Sequence, residues 1–275
     1  MNIFLLGTGY VGMKLLSSWK NPNTKFTATT TTDLKLKEIK SQKSTSIPLL
    51  LKIDKHSNIS QNLNEIDILI ITTAPKNNTS YEETYFETSE SIKNSIYKRN
   101  KPLYLLYTSS TSVYGNKQER IVNEDDLRNP CSKTSQILCK TEDNYESLSN
   151  EYITICILRL GGIYGPNRTL ESRARKMSEK EFSSTGNEPT NHIHLDDITN
   201  AIEYCVSHKL SGTYNLVNDD HPTRKNLYNK LCKTLELMPP RWKNSQNSGE
   251  VTNAVISNKK IKKAGFKLKN PLIDL

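Results

Sequence analysis

A chain of 275 residues, 35% of them hydrophobic, can enclose one large core, or a core with an appended lobe, under a very polar surface. Its net charge of +9 is spread over every segment, without a basic patch or aromatics set among the cations, which excludes nucleic acid as the expected partner and favours an anionic cofactor or substrate. The odd set of cysteines (Cys131, Cys139, Cys156, Cys205, Cys232) has no C-x-x-C pair and the apolar start is too short for a secretory signal, so a cytoplasmic protein with reduced thiols and no membrane span is expected.

Residues 3–6 (IFLL) read as a first strand. Gly7-Thr8-Gly9-Tyr10-Val11-Gly12 follows at once and leads into residues 12–19, which have helical spacing. A G-x-G-x-x-G run between strand and helix is the phosphate-binding turn of dinucleotide folds. Its first glycine permits the tight turn, its second lets the backbone approach a pyrophosphate, and its third lets helix and strand pack closely. The helix N-terminus then offers N–H groups to the phosphates. A second strand, residues 26–30, ends in the threonines 29–32, where an acid would accept from an adenosine ribose 2′-hydroxyl. The hydroxyls of Thr30 and Thr31, with Lys35 and Lys37 beyond, suit a 2′-phosphate, so NADP is favoured over NAD; Asp33 is read as an N-cap or as the ribose partner.

Residues 47–53 are a third strand. Residues 66–72 (IDILIIT) are a fourth, apolar and hence central, ending in Thr73-Ala74-Pro75, small residues that leave room for a cofactor. A long helix over residues 81–99, a strand over 102–109, a helix over 132–150 and a strand over 152–160 follow. Beyond them come a polar loop with some helix (166–190), a helix (196–208), a strand (213–217), a helix with Pro222 in its first turn (222–237) and a last helix (258–265). The expected fold is α/β, a doubly wound parallel, Rossmann-like sheet over residues 1–160. A smaller C-terminal α/β substrate lobe over 161–275 sends some segments back to the core.

The turn Ser109-Ser110-Thr111-Ser112-Val113-Tyr114-Gly115 resembles the serine-rich turn of the extended short-chain dehydrogenase/reductases, the nucleotide-sugar epimerase and dehydratase group. Leu158-Arg159-Leu160-Gly161-Gly162-Ile163-Tyr164-Gly165-Pro166, His192-Ile193-His194-Leu195-Asp196-Asp197-Ile198 and Gly212-Thr213-Tyr214-Asn215-Leu216 resemble further segments of that group, in order. The opening glycines and the ending over residues 259–266, with Pro271, are similar to its atypical short members. The resemblance implies an NAD(P)-dependent oxidoreductase or epimerase/dehydratase acting on a sugar-like or hydroxy/carbonyl small molecule, hydride passing between substrate carbon and nicotinamide C4. It implies Ser110 as the group that polarises the reacting oxygen and Lys140 as the ribose contact, with Gly162 and Tyr164 beside the nicotinamide. It also implies a Tyr four residues before Lys140.

Gln136 stands there instead, and an amide cannot act as general acid or base near pH 7. A shifted register does not restore the motif, because Tyr145 is followed four residues later by Ser149. Two readings stay open. In one, Tyr114, Tyr164, His194 or Tyr10 moves the proton, with Tyr114 placed beside Ser110 and Lys140 in the catalytic set. In the other, the chain is a non-catalytic dinucleotide-binding regulator or scaffold. His192 and His194 with Asp197 have ligand-like spacing, but the resemblance gives this segment a structural role in which Asp197 caps the following helix, and no metal is expected. The resemblance further implies a homodimer through the helices at 81–99 and 132–150.

Overall fold

The structure, a computed structural model, describes residues 1–42, 46–54, 56–75, 80–243 and 252–273. In chain order its elements are β1 (Asn2–Leu6), α1 (Tyr10–Ser18), β2 (Lys25–Thr30), α2 (Asp33–Gln42), β3 (Ser46–Leu50), α3 (Ser60–Leu63), β4 (Ile68–Ile71), α4 (Thr88–Ile96), β5 (Leu103–Ser110), β6 (Asn116–Val122), α5 (Lys133–Glu146), β7 (Ile153–Leu160), β8 (Gly162–Tyr164), α6 (Leu170–Met177), β9 (Glu181–Phe182), β10 (His192–His194), α7 (Leu195–Ser207), β11 (Gly212–Leu216), α8 (Arg224–Thr234), β12 (Arg241–Trp242), β13 (Asn253–Ile256) and α9 (Lys259–Lys263). A π-helical turn over Glu82–Glu87 runs into α4, and a 3-10 turn over Thr111–Tyr114 follows β5. No described helix is long and apolar enough to cross a membrane.

Strands that are apolar on both faces pair into one seven-stranded sheet, in the order β11-β7-β5-β4-β1-β2-β3. β2 and β4 flank β1 in parallel, Ile3 facing Phe26 on one side and Ile68 on the other, and β3 and β5 continue outward in parallel. The strand order therefore reverses between β1 and β4, the place where such sheets open a crevice at the strand carboxyl ends. The glycine turn lies at the carboxyl end of β1, at that switch point.

The chain divides into two compact units, and it changes unit more often than a single boundary at 160 would have it. The first unit comprises residues 1–109, 136–158 and 199–213. Its core joins Phe4, Leu69, Ile71, Leu105 and Ile157 of the sheet to Ile92 of α4 and Tyr145 of α5, all essentially inaccessible to solvent. The helix expected over 81–99 begins as a π turn because hydroxyls compete for its carbonyls: Thr88 Oγ1 donates to Glu83 O, five residues back, and Ser89 Oγ donates to Phe86 O.

The second unit comprises residues 110–135, 159–198 and 214–275. It holds three short parallel ribbons, β8–β10, β9–β12 and β6–β13. Asparagines pin it together. Asn191 Nδ2 donates to Ala254 O and its Oδ1 accepts from Ile256 N–H, and Asn258 Nδ2 donates to Val217 O. A small apolar core lies between α6 and α8, around Leu170, Ala174, Leu227 and Leu231. Pro222 precedes α8 rather than opening it, since Thr223 is the N-cap and accepts from Asn226 N–H. The region expected as a polar loop with some helix holds α6 and, in addition, the short strand β9.

Candidate functional site

At the glycine turn, Gly7 has φ +94°, and a Cβ there would lie 2.8 Å from the Thr73 amide nitrogen. A Cβ on Gly12 would lie 2.2 Å from the Gly7 carbonyl oxygen, so only glycine lets α1 start this close to the turn. Gly9 differs: its φ is −76°, and a Cβ on it would meet no heavy atom within 4 Å. The protein's own packing accounts for Gly7 and Gly12. It does not account for Gly9.

The turn is stapled to its neighbours. Gly7 N–H donates to Thr29 Oγ1 at 3.0 Å, and Thr8 donates from N–H (3.0 Å) and Oγ1 (2.9 Å) to Thr29 O. Thr72 Oγ1 donates to Gly7 O at 2.7 Å. Lys35, in the first turn of α2, reaches back so that Nζ donates to Thr8 O at 3.0 Å. Thr30 is buried with Oγ1 accepting from Thr32 N–H, and Thr31 is exposed. Tyr10 opens α1 half-buried and Val11 is buried beneath it. Ala74 is exposed and Pro75 half-buried, while Thr73 Oγ1 is buried without a partner among the described residues. With no acidic side chain in the first turn of α1 and no side-chain cap on it, these groups fit a dinucleotide pyrophosphate.

Further along the first unit, Ser109 Oγ donates to the buried Glu142 Oε1 at 2.5 Å. Glu142 shares the inner side of α5 with Tyr145, whose ring lies 4.9 Å from that of Tyr107. Burial pushes both phenols above their ordinary range. Gln136 and Lys140 lie on the exposed side of α5, with the Lys140 ammonium 5.8 Å from the centroid of Phe86.

In the second unit, Ser110 Oγ accepts from Ser112 N–H at 3.2 Å, capping the 3-10 turn and leaving its own proton to donate. Tyr114 is fully buried. Arg159 Nη1 donates to its oxygen at 2.8 Å, and its hydroxyl donates to Asn215 Oδ1 at 2.8 Å. Burial raises the Tyr114 pKa and the Arg159 charge opposes the rise. With lone pair and proton both engaged, the phenol placed in the catalytic set from sequence is a structural member of this unit. Asn215 N–H in turn donates to Glu124 Oε1 at 2.7 Å.

β8 and β10 pair so that Gly162 faces His192 and Tyr164 faces His194. Pairs two residues apart share a face of a ribbon. The Tyr164 ring lies edge-on to both imidazoles, 6.2 Å from His192 and 5.1 Å from His194. Asn218 closes the group, donating from N–H to His192 O at 2.7 Å and from Nδ2 to the Tyr164 hydroxyl at 3.0 Å. Asp197 lies inside α7 rather than capping it, because the helix starts at Leu195; its carboxylate accepts from Lys269 N–H (2.5 Å) and Asn270 N–H (2.9 Å) and holds the tail. Among the described residues, no group of three or more His, Cys, Asp or Glu could hold a metal ion.

Sequence reasoning did not give the bonds that Thr72, Glu142 and Asn218 make. Glu142 had a signal, an acid set four residues after Leu138 and three before Tyr145 on an apolar stripe. Asn218 had none, since its partners come from distant segments.

The model of the NAD dependent epimerase/dehydratase family matches residues 3–217. Protein YeeZ of Escherichia coli (strain K12) is 30% identical over 189 residues, 68% of this chain and 66% of that protein, just under two thirds of its length. Among solved structures, a functionally unknown conserved protein from Silicibacter pomeroyi DSS is similar with a TM-score of 0.78 and 20% identity, covering 98% of this chain and 94% of that one. A UDP-glucuronic acid 4-epimerase from Bacillus cereus, in complex with UDP-glucuronic acid and NAD, is similar with a TM-score of 0.76 and 19% identity, covering 96% and 92%.

Proposed function

The chain belongs to the NAD dependent epimerase/dehydratase family, and from that premise we propose that it is an NAD(P)-dependent oxidoreductase or epimerase acting on a sugar-like or hydroxy/carbonyl small molecule. The observation that carries the reading is Gly9, a glycine that the protein's packing does not require, between two that it does. Gly7, Gly9 and Gly12 with the N–H groups of α1 would hold the pyrophosphate, and Thr73 and Pro75 would line its path. The Lys35 ammonium, fixed on Thr8, supports NADP over NAD. Lys140 is assigned a contact to the cofactor ribose and no part in tuning a phenol, because Gln136 replaces the residue it would tune.

When bound, the nicotinamide supplies hydride exchange. Ser110 is assigned the substrate oxygen, to which it donates the proton that its own cap leaves available. The proton donor is assigned to Tyr164, whose oxygen accepts from Asn218 Nδ2 and whose phenoxide that amide would stabilise. Binding of UDP-glucuronic acid by a protein of similar fold supports a sugar-like substrate. A cytoplasmic location and a homodimer through α4 and α5 belong to the same proposal; light scattering at twice the chain mass supports the dimer.

Calorimetric titration with NADPH, NADP, NADH and NAD tests the reading, with Gly9→Ala as the control. Binding by the natural chain and its loss in the variant support it. Binding of none of the four removes it. Binding without turnover of any pooled sugar or carbonyl substrate would move the chain to the dinucleotide-binding regulator.

A further inference from the structure

The C-terminal tail is fastened beside the β8–β10 ribbon, and the fastening fixes one imidazole. Asp197, 0% exposed, accepts from the N–H groups of Lys269 and Asn270, and its Oδ2 accepts again from Asn270 Nδ2 at 3.0 Å. Only the NH2 end of an amide can face a carboxylate in this way, so the orientation of the Asn270 side chain is settled. The other Nδ2 proton points to His194 Nδ1 at 3.1 Å, and Asp196 N–H points to the same nitrogen at 3.2 Å. The Asp196 carboxylate stands 4.0 Å from that nitrogen, beyond hydrogen-bonding reach, and 3.7 Å from the Lys269 ammonium. With two donors on Nδ1, that atom carries the lone pair and the ring proton sits on Nε2.

His194 Nε2 has no partner among the described residues. Unlike His192 Nδ1, which is sealed from solvent, it is open to it, and the His194 side chain is 17% exposed. It is therefore an N–H group that a ligand can reach. The ring that carries it also lies against Tyr164, its partner in the ribbon register, at 5.1 Å between centroids and edge-on. Registered partners project from one face of a ribbon, so imidazole and phenol share that face.

We propose that His194 Nε2–H donates to an oxygen of the substrate on the face it shares with Tyr164. This rests on the reading of Tyr164 as the proton donor of an enzyme of sugar-like substrates, and adds a second contact to it. The atom selects acceptors, such as a carbonyl, hydroxyl or carboxylate oxygen, and excludes a group that can only donate, such as an ammonium. A neutral ring with its proton on Nε2 has no lone pair there to take up another. His194 therefore holds the oxygen and leaves the proton transfer to Tyr164.

The test uses the full 15N-labelled chain, its two-bond imidazole nitrogen spectrum, and calorimetry with UDP-glucose and UDP-glucuronic acid. In the free chain His194 should be neutral with its proton on Nε2; a proton on Nδ1 overturns the proposal. A sugar that binds in the calorimeter should move the His194 Nε2 resonance. Two substitutions separate the ends of the ring. His194→Asn keeps an oxygen near the Nδ1 position for the tail's donors and should weaken sugar binding about tenfold, the loss of one hydrogen bond. His194→Gln carries an amide N–H towards the Nε2 position and should recover most of that loss. Equal binding by the two variants marks a role in holding the tail alone and overturns the proposal. Binding that leaves Nε2 unmoved overturns it while the reading of a sugar-like substrate stands. If neither sugar binds, that reading fails in the calorimeter and the proposal falls with it.

Discussion

Gly9 and Gly12 stand three residues apart and should answer to the same substitution in opposite ways. Gly12→Ala drives a Cβ into a backbone oxygen that cannot move aside, and should cost about 1–3 kcal/mol or more in denaturant unfolding. Gly9→Ala adds a methyl group in open space at an ordinary φ, so its unfolding midpoint should match that of the natural chain while dinucleotide affinity falls. Lys35→Met should weaken NADPH about tenfold relative to NADH, as expected for losing a charged partner to a phosphate. Tyr114→Phe removes one buried partner from Arg159 Nη1 and from Asn215 Oδ1 and should cost about 1–3 kcal/mol, without changing the pH profile of any activity. At this scale the glycines were legible, because a turn between strand and helix dictates local geometry. Tyr114 was not: its place next to a serine-rich turn suggested chemistry, and only the folded chain shows Arg159 and Asn215 on either side of its oxygen.

The elements that sequence named correctly are those whose apolar runs are long relative to their turns, such as β1, β4, β5 and β7. Among those it missed, β6 and β13 carry charged or mixed sequences, NKQERIV and NAVI, and pair with each other in the second unit. Their order comes from side chains elsewhere, chiefly Asn191, which supplies both a donor and an acceptor to β13. Asn191→Leu should therefore speed amide hydrogen exchange at Ile256 well before it affects β1 or β4. In α5 the helix itself was legible, but which side faces inward was not. The apolar stripe through Leu138 and Tyr145 turns Glu142 into the protein and leaves Gln136 and Lys140 outside, so the expected Lys140 site depended on a phase that periodicity alone gave ambiguously.

The whole molecule should lose stability on mild acidification in a window set by His192. Its folded pKa is near 4 and its unfolded value 6.5, so between those limits only the unfolded chain takes up the proton. The contribution is intact above pH 6.5 and drains away as pH falls towards 4, by about 3 kcal/mol in total. His221, also lowered by burial, adds in the same sense. Urea unfolding of the natural chain and His192→Phe across that range should give a slope in the first and a flatter line in the second. The order of segments in the two units carries another consequence, for how the chain is made. Every segment of the first unit has left the ribosome once Thr213 has, while the second still awaits Asn253–Ile256 to partner β6. Synthesis from the N-terminus thus offers the first unit a head start, and a nascent chain halted between the two points would hold β6 waiting for a strand not yet translated.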